Sequence, residues 1–252
     1  MKIAKLRSPI VLVHGLCGFD RYTVGKWTIA EYFPGIAQLL RKFGNNILTP
    51  RLSPTRSISE RALQLKRYLA ERMPNEPVHL IAHSMGGLDA RYMISKLGMA
   101  DRVLSLTTLG TPHRGTAFAD WGVQHLTRMI RPLLHFLGIP TAGFYDLTTA
   151  SCRQFNEEVL DSPLVNYYSV AGEYHGRGYD WLLSYNIVEK HEGPNDGVVS
   201  VQSANYGEKI DLFPGDHMHL VNWTNGYWPN SSSTVADRLF GKIVGRLRHE
   251  GF

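Results

Sequence analysis

Short apolar runs recur along the chain, with little alternation between polar and apolar positions inside them. They occupy residues 9–13, 47–50, 78–82, 103–109, 166–171 and 210–213. The run at residues 9–13 is continuous and consists of Ile, Val and Leu after Pro9, which is typical of a strand buried on both faces of a parallel sheet, and the other runs are shorter or mixed strand candidates. The pattern therefore predicts a central sheet whose strands lie inside the molecule.

Segments with helical spacing separate these runs. Apolar residues recur at helical intervals over residues 31–43, and Gly44 ends that pattern. Ser57-Ile58-Ser59-Glu60 forms a capping box that opens a second helix, which ends before Pro74. Further helices are predicted over residues 87–97 and from Thr234 onward. This alternation predicts an α/β fold with a mostly parallel sheet and helices on both faces, formed by residues 1–252 as one domain.

One long stretch interrupts the alternation between Arg114 and Asp146. It is rich in large apolar residues, and Pro132 is expected to split it into two short helices. Two interpretations remain open. The segment of about residues 115–146 forms either extra core helices or a lid whose apolar face meets lipid when it opens.

Composition narrows the function classes. The chain has 252 residues, of which 43% are hydrophobic and 19% charged, and its formal net charge is +5. This mild excess comes without a block of Lys or Arg, so it argues for solubility and against nucleic-acid binding. No run approaches the roughly 18 apolar residues of a membrane span. The basic first residues lack the apolar region of a signal peptide, so we expect a cytoplasmic protein, unless it is a mature form of a secreted one.

The strongest chemical signal lies after the run at residues 78–82. There Ala82-His83-Ser84-Met85-Gly86 joins a predicted strand to a predicted helix. A serine flanked by small residues at such a junction is typical of the nucleophile elbow of serine hydrolases. Small neighbours are needed because the turn that exposes the serine is tight and strained. Ser84 is therefore the candidate nucleophile.

A serine hydroxyl needs a histidine base and an acid that orients the base. In hydrolases with such an elbow, the acid and then the histidine follow the serine along the chain. Asp196 lies in an Asn-Asp-Gly turn, and His217 follows the run at residues 210–213. Each of the two residues also has an interpretation without a catalytic role, because Asn-Asp-Gly is a common turn and loop histidines are usually surface residues. Their order after Ser84 favours catalysis, with His219 as the rival base and with Asp180 and Asp211 as weaker rival acids.

Two backbone N–H groups must stabilise the oxyanion that forms during acyl transfer. The elbow geometry assigns one to Met85, directly after Ser84, and the other to Leu16 after the first strand, where Gly15 allows close approach. We interpret Cys17 as a small apolar packing residue, and the spacing of Cys17 and Cys152 leaves a disulfide undecided. No cluster has metal-ligand spacing, and we expect neither a metal nor a cofactor.

Several motifs together resemble one family. They are Val13-His14-Gly15-Leu16, Ala82-His83-Ser84-Met85-Gly86-Gly87, Leu109-Gly110-Thr111-Pro112-His113-Arg114-Gly115, Asn195-Asp196-Gly197, and His217 with Val221-Asn222. This set resembles the bacterial true lipases of the α/β hydrolase fold, above all the Pseudomonas-type triacylglycerol lipases. The resemblance implies a triad of Ser84, Asp196 and His217, with Leu16 and Met85 as oxyanion donors. It also implies a lid after Gly115, and the spacing to Val221-Asn222 favours His217 over His219.

The chain departs from that family at two positions. Ala82 replaces the glycine that opens the elbow, as in small Bacillus-type lipases. His219 stands where the family has an aspartate that binds calcium, which argues against that calcium site.

The resemblance implies hydrolysis of acylglycerol esters through an acyl-enzyme, with a lipid or ester as substrate and transient contact with a lipid surface through the lid. The alternatives are a short-chain carboxylesterase or an acyltransferase with the same triad, and a non-catalytic binding module built on the same fold.

Overall fold

A six-stranded parallel sheet forms the centre of the molecule. The computed structural model describes residues 3–18, 21–24, 27–125, 140–175, 182–224, 228–229 and 234–252. In these ranges the strands are β1 (Ile10–Val13), β2 (Arg21–Val24), β3 (Trp27–Glu31), β4 (Ile47–Leu48), β5 (Val78–His83), β6 (Val103–Leu109), β7 (Asn166–Glu173), β8 (Glu208–Pro214), β9 (Trp223–Thr224) and β10 (Trp228–Pro229). The main sheet has the order β4-β1-β5-β6-β7-β8, and every neighbouring pair is parallel.

Helices cover both faces of this sheet. In the described ranges they are α1 (Ile36–Lys42), α2 (Ile58–Arg72), α3 (Met85–Lys96), α4 (Ala117–His125), α5 (Ala142–Asp146), α6 (Thr149–Glu158), α7 (Leu182–Glu192), α8 (Val201–Ala204) and α9 (Thr234–His249), with short 3-10 turns at Ala100–Arg102 and His219–Val221. The predicted α/β fold is confirmed. None of the described helices is both long and apolar enough for a bilayer crossing.

The two faces of β1 show how a buried parallel strand distributes its side chains. Ile10 and Leu12 pack into one core cluster with apolar residues of α1 and α9, whereas Val11 and Val13 pack into another with α2 and α3. Successive side chains of a strand point to opposite faces, so a strand between two helical layers needs apolar residues at every position. This is why the run at residues 9–13 has no polar alternation.

The capping box predicted at the start of α2 is present. The Ser57 side chain accepts a hydrogen bond from the Glu60 N–H (3.4 Å), and the Glu60 carboxylate accepts one from the Ser57 N–H (3.3 Å). Both bonds satisfy backbone donors that a helix leaves free in its first turn. Local sequence therefore determines where α2 begins.

The helix predicted from Glu31 to Phe43 was wrong at its start. Residues Trp27–Glu31 form β3, which pairs with β2 in an antiparallel hairpin, and α1 begins only at Ile36. Gly35, the residue before it, has a φ of 76°. That left-handed conformation, which glycine adopts at little cost, cannot lie inside a right-handed helix. Apolar spacing alone did not reveal this break.

The segment at about residues 115–146 is described in part. It contains α4 and α5, while residues 126–139, including Pro132, lie outside the described residues. α5 lies over the loop that precedes α2, because the Gly143 N–H donates to the Thr55 carbonyl at 3.1 Å and the Asp146 carboxylate accepts from the Ile58 N–H at 2.7 Å. The lid interpretation, the split at Pro132 and the assignment of the chain to one domain stay predictions.

A buried ion pair connects α2, α3 and the end of β1. Arg61 and Asp89 are fully buried and bonded at 2.8 Å, and Arg61 Nη2 also donates to the His14 carbonyl at 2.8 Å. We expect Arg61→Met to lower the free energy of unfolding by about 3–5 kcal/mol, because it leaves the Asp89 carboxylate buried without its counter-ion. Urea denaturation followed by circular dichroism measures this.

The matched control for that prediction is Lys242→Met. Lys242 pairs with Asp211 on the surface at 2.9 Å. Exposed pairs of this kind contribute at most about 1 kcal/mol. Equal losses of unfolding free energy in Arg61→Met and Lys242→Met would contradict the conclusion that burial makes the Arg61–Asp89 pair more important.

Candidate active site

The predicted site residues converge at the carboxyl edge of the sheet. Gly15 follows β1, Ser84 follows β5, and His217 follows β8. Asp196 lies in the segment after β7, where a Cβ on Gly172 of β7 would come within 2.8 Å of the Asp196 Cβ. In open parallel sheets, loops at the carboxyl ends of the strands form the usual ligand-binding crevice.

Ser84 occupies a strained turn between β5 and α3. Its φ and ψ are 54° and −133°, which a residue with a side chain rarely adopts. The Ser84 N–H donates to the Leu109 carbonyl at 2.9 Å, and the Ser84 carbonyl accepts from Thr111 Oγ1 at 2.7 Å. These contacts with the end of β6 hold the strained backbone in place, as a nucleophile elbow requires.

Gly15 lies directly against this turn. A Cβ on Gly15 would lie 2.6 Å from Ser84 Cβ, a distance that real Cβ contacts essentially never show. The loop after β1 can approach the serine this closely only because residue 15 has no side chain. This explains in physical terms why glycine precedes the candidate oxyanion donor Leu16.

Asp196 and His217 form a buried hydrogen-bonded pair. Asp196 Oδ2 lies 2.7 Å from His217 Nδ1, and the two residues are 0% and 6% exposed. Asp196 Oδ1 accepts hydrogen bonds from the N–H groups of Val198 (3.0 Å) and Val199 (2.8 Å). The carboxylate is thus held from both sides, and its Oδ2 orients the imidazole.

The hydrogen bonds define the protonation pattern of the imidazole. A carboxylate oxygen only accepts, so Nδ1 of His217 carries the proton and Nε2 of the neutral ring has a free lone pair. Ser84 Oγ and Nε2 are not hydrogen-bonded in this conformation. Catalytic hydrogen bonds are often long before substrate binds and shorten in the Michaelis complex.

Gly110, next to Leu109, allows the Asp196–His217 pair to lie close to the Ser84 turn. A Cβ on this residue would lie 2.9 Å from Asp196 Oδ2 and 3.1 Å from His217 Nδ1, and its φ is 53°. Both facts favour glycine at this position. The Leu109 carbonyl, one residue away, accepts from the Ser84 N–H, so the turn after β6 contacts both the acid–base pair and the serine backbone.

Two opposing effects act on the pKa of His217. Burial lowers it, but the charge of Asp196 and the hydrogen bond to Asp196 outweigh burial, so the pKa lies above the ordinary histidine value. The raised pKa makes the neutral imidazole a stronger proton acceptor than an ordinary histidine.

Two backbone N–H groups are available for an oxyanion. Among the described residues, neither the Leu16 N–H nor the Met85 N–H has a hydrogen-bond acceptor. Met85 is the first residue of α3, two residues earlier than predicted, so its N–H is also one of the free donors at a helix N-terminus. That end of the helix favours negative charge.

The rival residues have other partners. His219 Nδ1 lies 3.0 Å from Asp216 Oδ1, and Asp211 pairs with Lys242 on the surface. Asp180 lies outside the described residues. The structure brings Asp196 and His217 together, and their catalytic roles, with those of Ser84, Leu16 and Met85, stay predictions.

The position that holds a calcium ligand in Pseudomonas-type lipases does not fit that ion here. His219 offers an imidazole that is bound to Asp216, whereas calcium takes oxygen ligands. Within the described residues, no group of three or more His, Cys, Asp or Glu side chains could hold a metal ion.

Both cysteines are free, with Cys152 buried and Cys17 exposed. The interpretation of Cys17 as a packing residue was therefore wrong. Its backbone has a φ of 56°, and its N–H donates to the Pro54 carbonyl at 2.7 Å, so the turn after Leu16 directs the side chain to the surface.

Two buried residues beside the site were not singled out from the sequence. The His83 ring lies 4.5 Å from the His217 ring between centroids, and Tyr32 contacts both His83 and the Gly15 N–H. A histidine in a buried strand, directly before the serine, was the available signal for His83. Tyr32 lies 51 residues away along the chain, and no local pattern linked it to the site.

Comparisons with known proteins identify the family of this chain. A model of the family described as alpha/beta hydrolase fold matches residues 8–175. Triacylglycerol lipase 2 of Saccharomyces cerevisiae is 32% identical, with 98% of this chain and 93% of the relative aligned. A triacylglycerol lipase of Vibrio cholerae is 31% identical over 97% of this chain and 89% of its own length.

A solved structure gives the same result. The mature form of a Bacillus licheniformis lipase superposes with a TM-score of 0.70 at 25% identity, covering 85% of this chain and 86% of that one. The predicted family is confirmed by the matched residues and by relatives that align over nearly their full length. The chain belongs to the α/β hydrolase fold family, and within it to the bacterial-type lipases.

Proposed function

We propose that the protein hydrolyses carboxylic ester bonds of acylglycerols, as a triacylglycerol lipase, through an acyl-enzyme on Ser84. The observation that carries the proposal is the 2.7 Å hydrogen bond between Asp196 and His217, buried beside a strained serine turn. The lipase relatives, which align over nearly the whole chain, support the choice of substrate class.

In the first step, His217 Nε2 takes the proton of Ser84 Oγ as Oγ attacks the ester carbonyl carbon. The C–O π electrons move to the carbonyl oxygen, and the Leu16 and Met85 N–H groups donate to the oxyanion. Asp196 stabilises the imidazolium that forms. The tetrahedral intermediate then collapses, and the alcohol leaves with the proton from Nε2.

The second step repeats this chemistry with water. Nε2 of His217 takes a proton from the water as its oxygen attacks the acyl carbon, and the bond to Ser84 Oγ then breaks. The proton returns from Nε2 to Oγ, which releases the fatty acid and restores the enzyme. Each N–H donor of the oxyanion site is expected to contribute about 3–4 kcal/mol of transition-state stabilisation.

We further propose that residues 115–146 contact the lipid surface. α5 packs over the oxyanion residues, since a Cβ on Gly143 would lie 2.8 Å from Leu16 Cδ1 and 3.2 Å from Met85 Cε. Phe144, the next residue, is 40% exposed. An exposed apolar side chain on a segment that covers Leu16 and Met85 supports the proposal that this segment opens and contacts lipid.

Substrate profiling tests this function. We expect turnover of p-nitrophenyl butyrate and of emulsified triolein, with a higher rate on tributyrin once it exceeds its solubility and forms an interface. The Ser84→Ala variant is the background control. Turnover is measured by titration of released fatty acid.

Each other outcome identifies an alternative. Activity on short esters without triolein hydrolysis would indicate a short-chain carboxylesterase, and acyl transfer to added alcohol faster than hydrolysis would indicate an acyltransferase. Absence of turnover, together with absence of a fluorophosphonate adduct on Ser84, would indicate a binding module. A tributyrin rate that does not rise at the interface would contradict the proposed lipid contact alone.

A further inference from the structure

A chain of buried hydrogen bonds connects the two loops that flank Ser84. The oxyanion loop, residues 14–16, follows β1, and the base loop, residues 215–223, follows β8. Between them, the Gly15 N–H contacts the Tyr32 hydroxyl at 3.1 Å, and that hydroxyl contacts His83 Nδ1 at 2.7 Å. His83 Nε2 then contacts the His217 carbonyl at 2.9 Å.

The donor and the acceptor of every hydrogen bond in this network are defined. The Gly15 amide can only donate and the His217 carbonyl can only accept, so Nε2 of His83 carries a proton. Nδ1 of the neutral ring must then accept, and the Tyr32 hydroxyl donates to it while accepting from Gly15. Burial holds the pKa of His83 well below its ordinary value, which keeps the ring in this neutral form.

Two more hydrogen bonds attach the base loop to the segment around Tyr32. Trp223 Nε1 donates to the Tyr32 carbonyl at 2.9 Å, and Asn222 Nδ2 donates to the Pro34 carbonyl at 2.8 Å. Tyr32 is therefore bonded to the base loop through its backbone as well as through His83. A shift of either loop would break contacts within one buried network.

We propose that Tyr32 and His83 are positioning residues, whose hydrogen-bond chain keeps the oxyanion donor Leu16 in register with the base His217. Both loops must be in place together, because the base and the oxyanion donors act on the same carbonyl carbon. A misplacement of about 1 Å in such an arrangement costs about 10²-fold in rate. The inference rests on the proposed ester hydrolysis and adds two residues to its machinery.

The test compares Tyr32→Phe, His83→Leu, His83→Gln and the double variant Tyr32→Phe/His83→Leu on p-nitrophenyl butyrate. We expect kcat to fall about 10-fold in Tyr32→Phe and about 10²-fold in His83→Leu, with KM within about 2-fold, because geometry and not substrate affinity is lost. The double variant is expected to match His83→Leu, since both changes break one chain.

His83→Gln is the rescue variant. Its amide can donate to the His217 carbonyl and accept from the Tyr32 hydroxyl, so we expect kcat within about 5-fold of the wild type.

Two buried residues away from the site supply matched controls. His79 lies four residues before His83 in β5 and contacts Ser105 Oγ at 2.8 Å, and the Tyr168 hydroxyl contacts Glu250. His79→Leu and Tyr168→Phe remove polar groups whose hydrogen-bond partners, Ser105 and Glu250, lie outside both loops. They are expected to leave kcat unchanged, whatever they do to the melting temperature.

Several results would overturn the proposal. One is a kcat of Tyr32→Phe within 2-fold of the wild type, which decides the matter even if His83→Leu does not fold. Losses that multiply in the double variant, or equal losses in the controls, would also overturn it. A wild-type protein without esterase activity would instead overturn the proposed function, so the two failures are distinguishable.

Discussion

Replacing Ser84 with alanine is expected to lower esterase activity by a factor of about 10⁶, as removal of the nucleophile does in other serine hydrolases. The Ser84 side chain does not cap α3, so the fold should lose little. Alanine in the same left-handed turn carries the same backbone strain. Hydrolysis of p-nitrophenyl butyrate measures the loss, and thermal unfolding confirms the unchanged fold.

Cys17→Ser is the matched control for this experiment. The thiol of Cys17 is exposed and directly follows Leu16, which makes it the alternative nucleophile near the oxyanion loop. Full activity of Cys17→Ser beside the inactive Ser84→Ala assigns the chemistry to the serine. Substantial residual turnover in Ser84→Ala, or a fluorophosphonate adduct on that variant, would refute the assignment.

Asp196→Asn is expected to lower kcat by about 10⁴-fold while leaving the fold intact. The asparagine amide can donate to Nδ1 of His217, which turns the imidazole to the tautomer with a proton on Nε2. That nitrogen could then no longer take the proton of Ser84. Steady-state kinetics over a range of pH measures the effect.

The dependence of activity on pH also tests the pairing of Asp196 with His217. In the wild type, the pKa of His217 is raised, so the neutral base and the activity are lost as pH falls through a value above the ordinary histidine pKa. Asp196→Asn removes the negative charge that raises the pKa of His217 against the effect of burial. The acid limb of the pH–activity profile therefore moves to lower pH. An acid limb that does not move would contradict the pairing of these two residues.

Asp211→Asn is the control for the acid. Asp211 was the weaker rival in the sequence, and it pairs with Lys242 on the surface. We expect its substitution to leave kcat and the pH profile unchanged. If Asp211→Asn were inactive and Asp196→Asn active, the acid would have been assigned to the wrong residue.

Some elements could be predicted because their causes are local. The capping box at Ser57 starts α2 through contacts within one helical turn, and the apolar run of β1 reflects burial on both faces. The elbow around Ser84 was visible for the same reason, because small residues are required beside a strained turn. In contrast, the break before Ile36 depended on one backbone angle at Gly35, which apolar spacing does not encode.

By itself, the sequence determined the six strands of the main sheet in their order along the chain, the serine turn, and Asp196 and His217 as candidates in the expected order. Tertiary structure decided which acid meets which base, because only in the folded chain does Asp196 lie beside His217 while Asp211 pairs with Lys242 on the surface. It also decided that Tyr32 and His83 join the two loops. Hydrogen bonds act over about 3 Å, and only the folded chain brings residues so far apart in sequence within that distance.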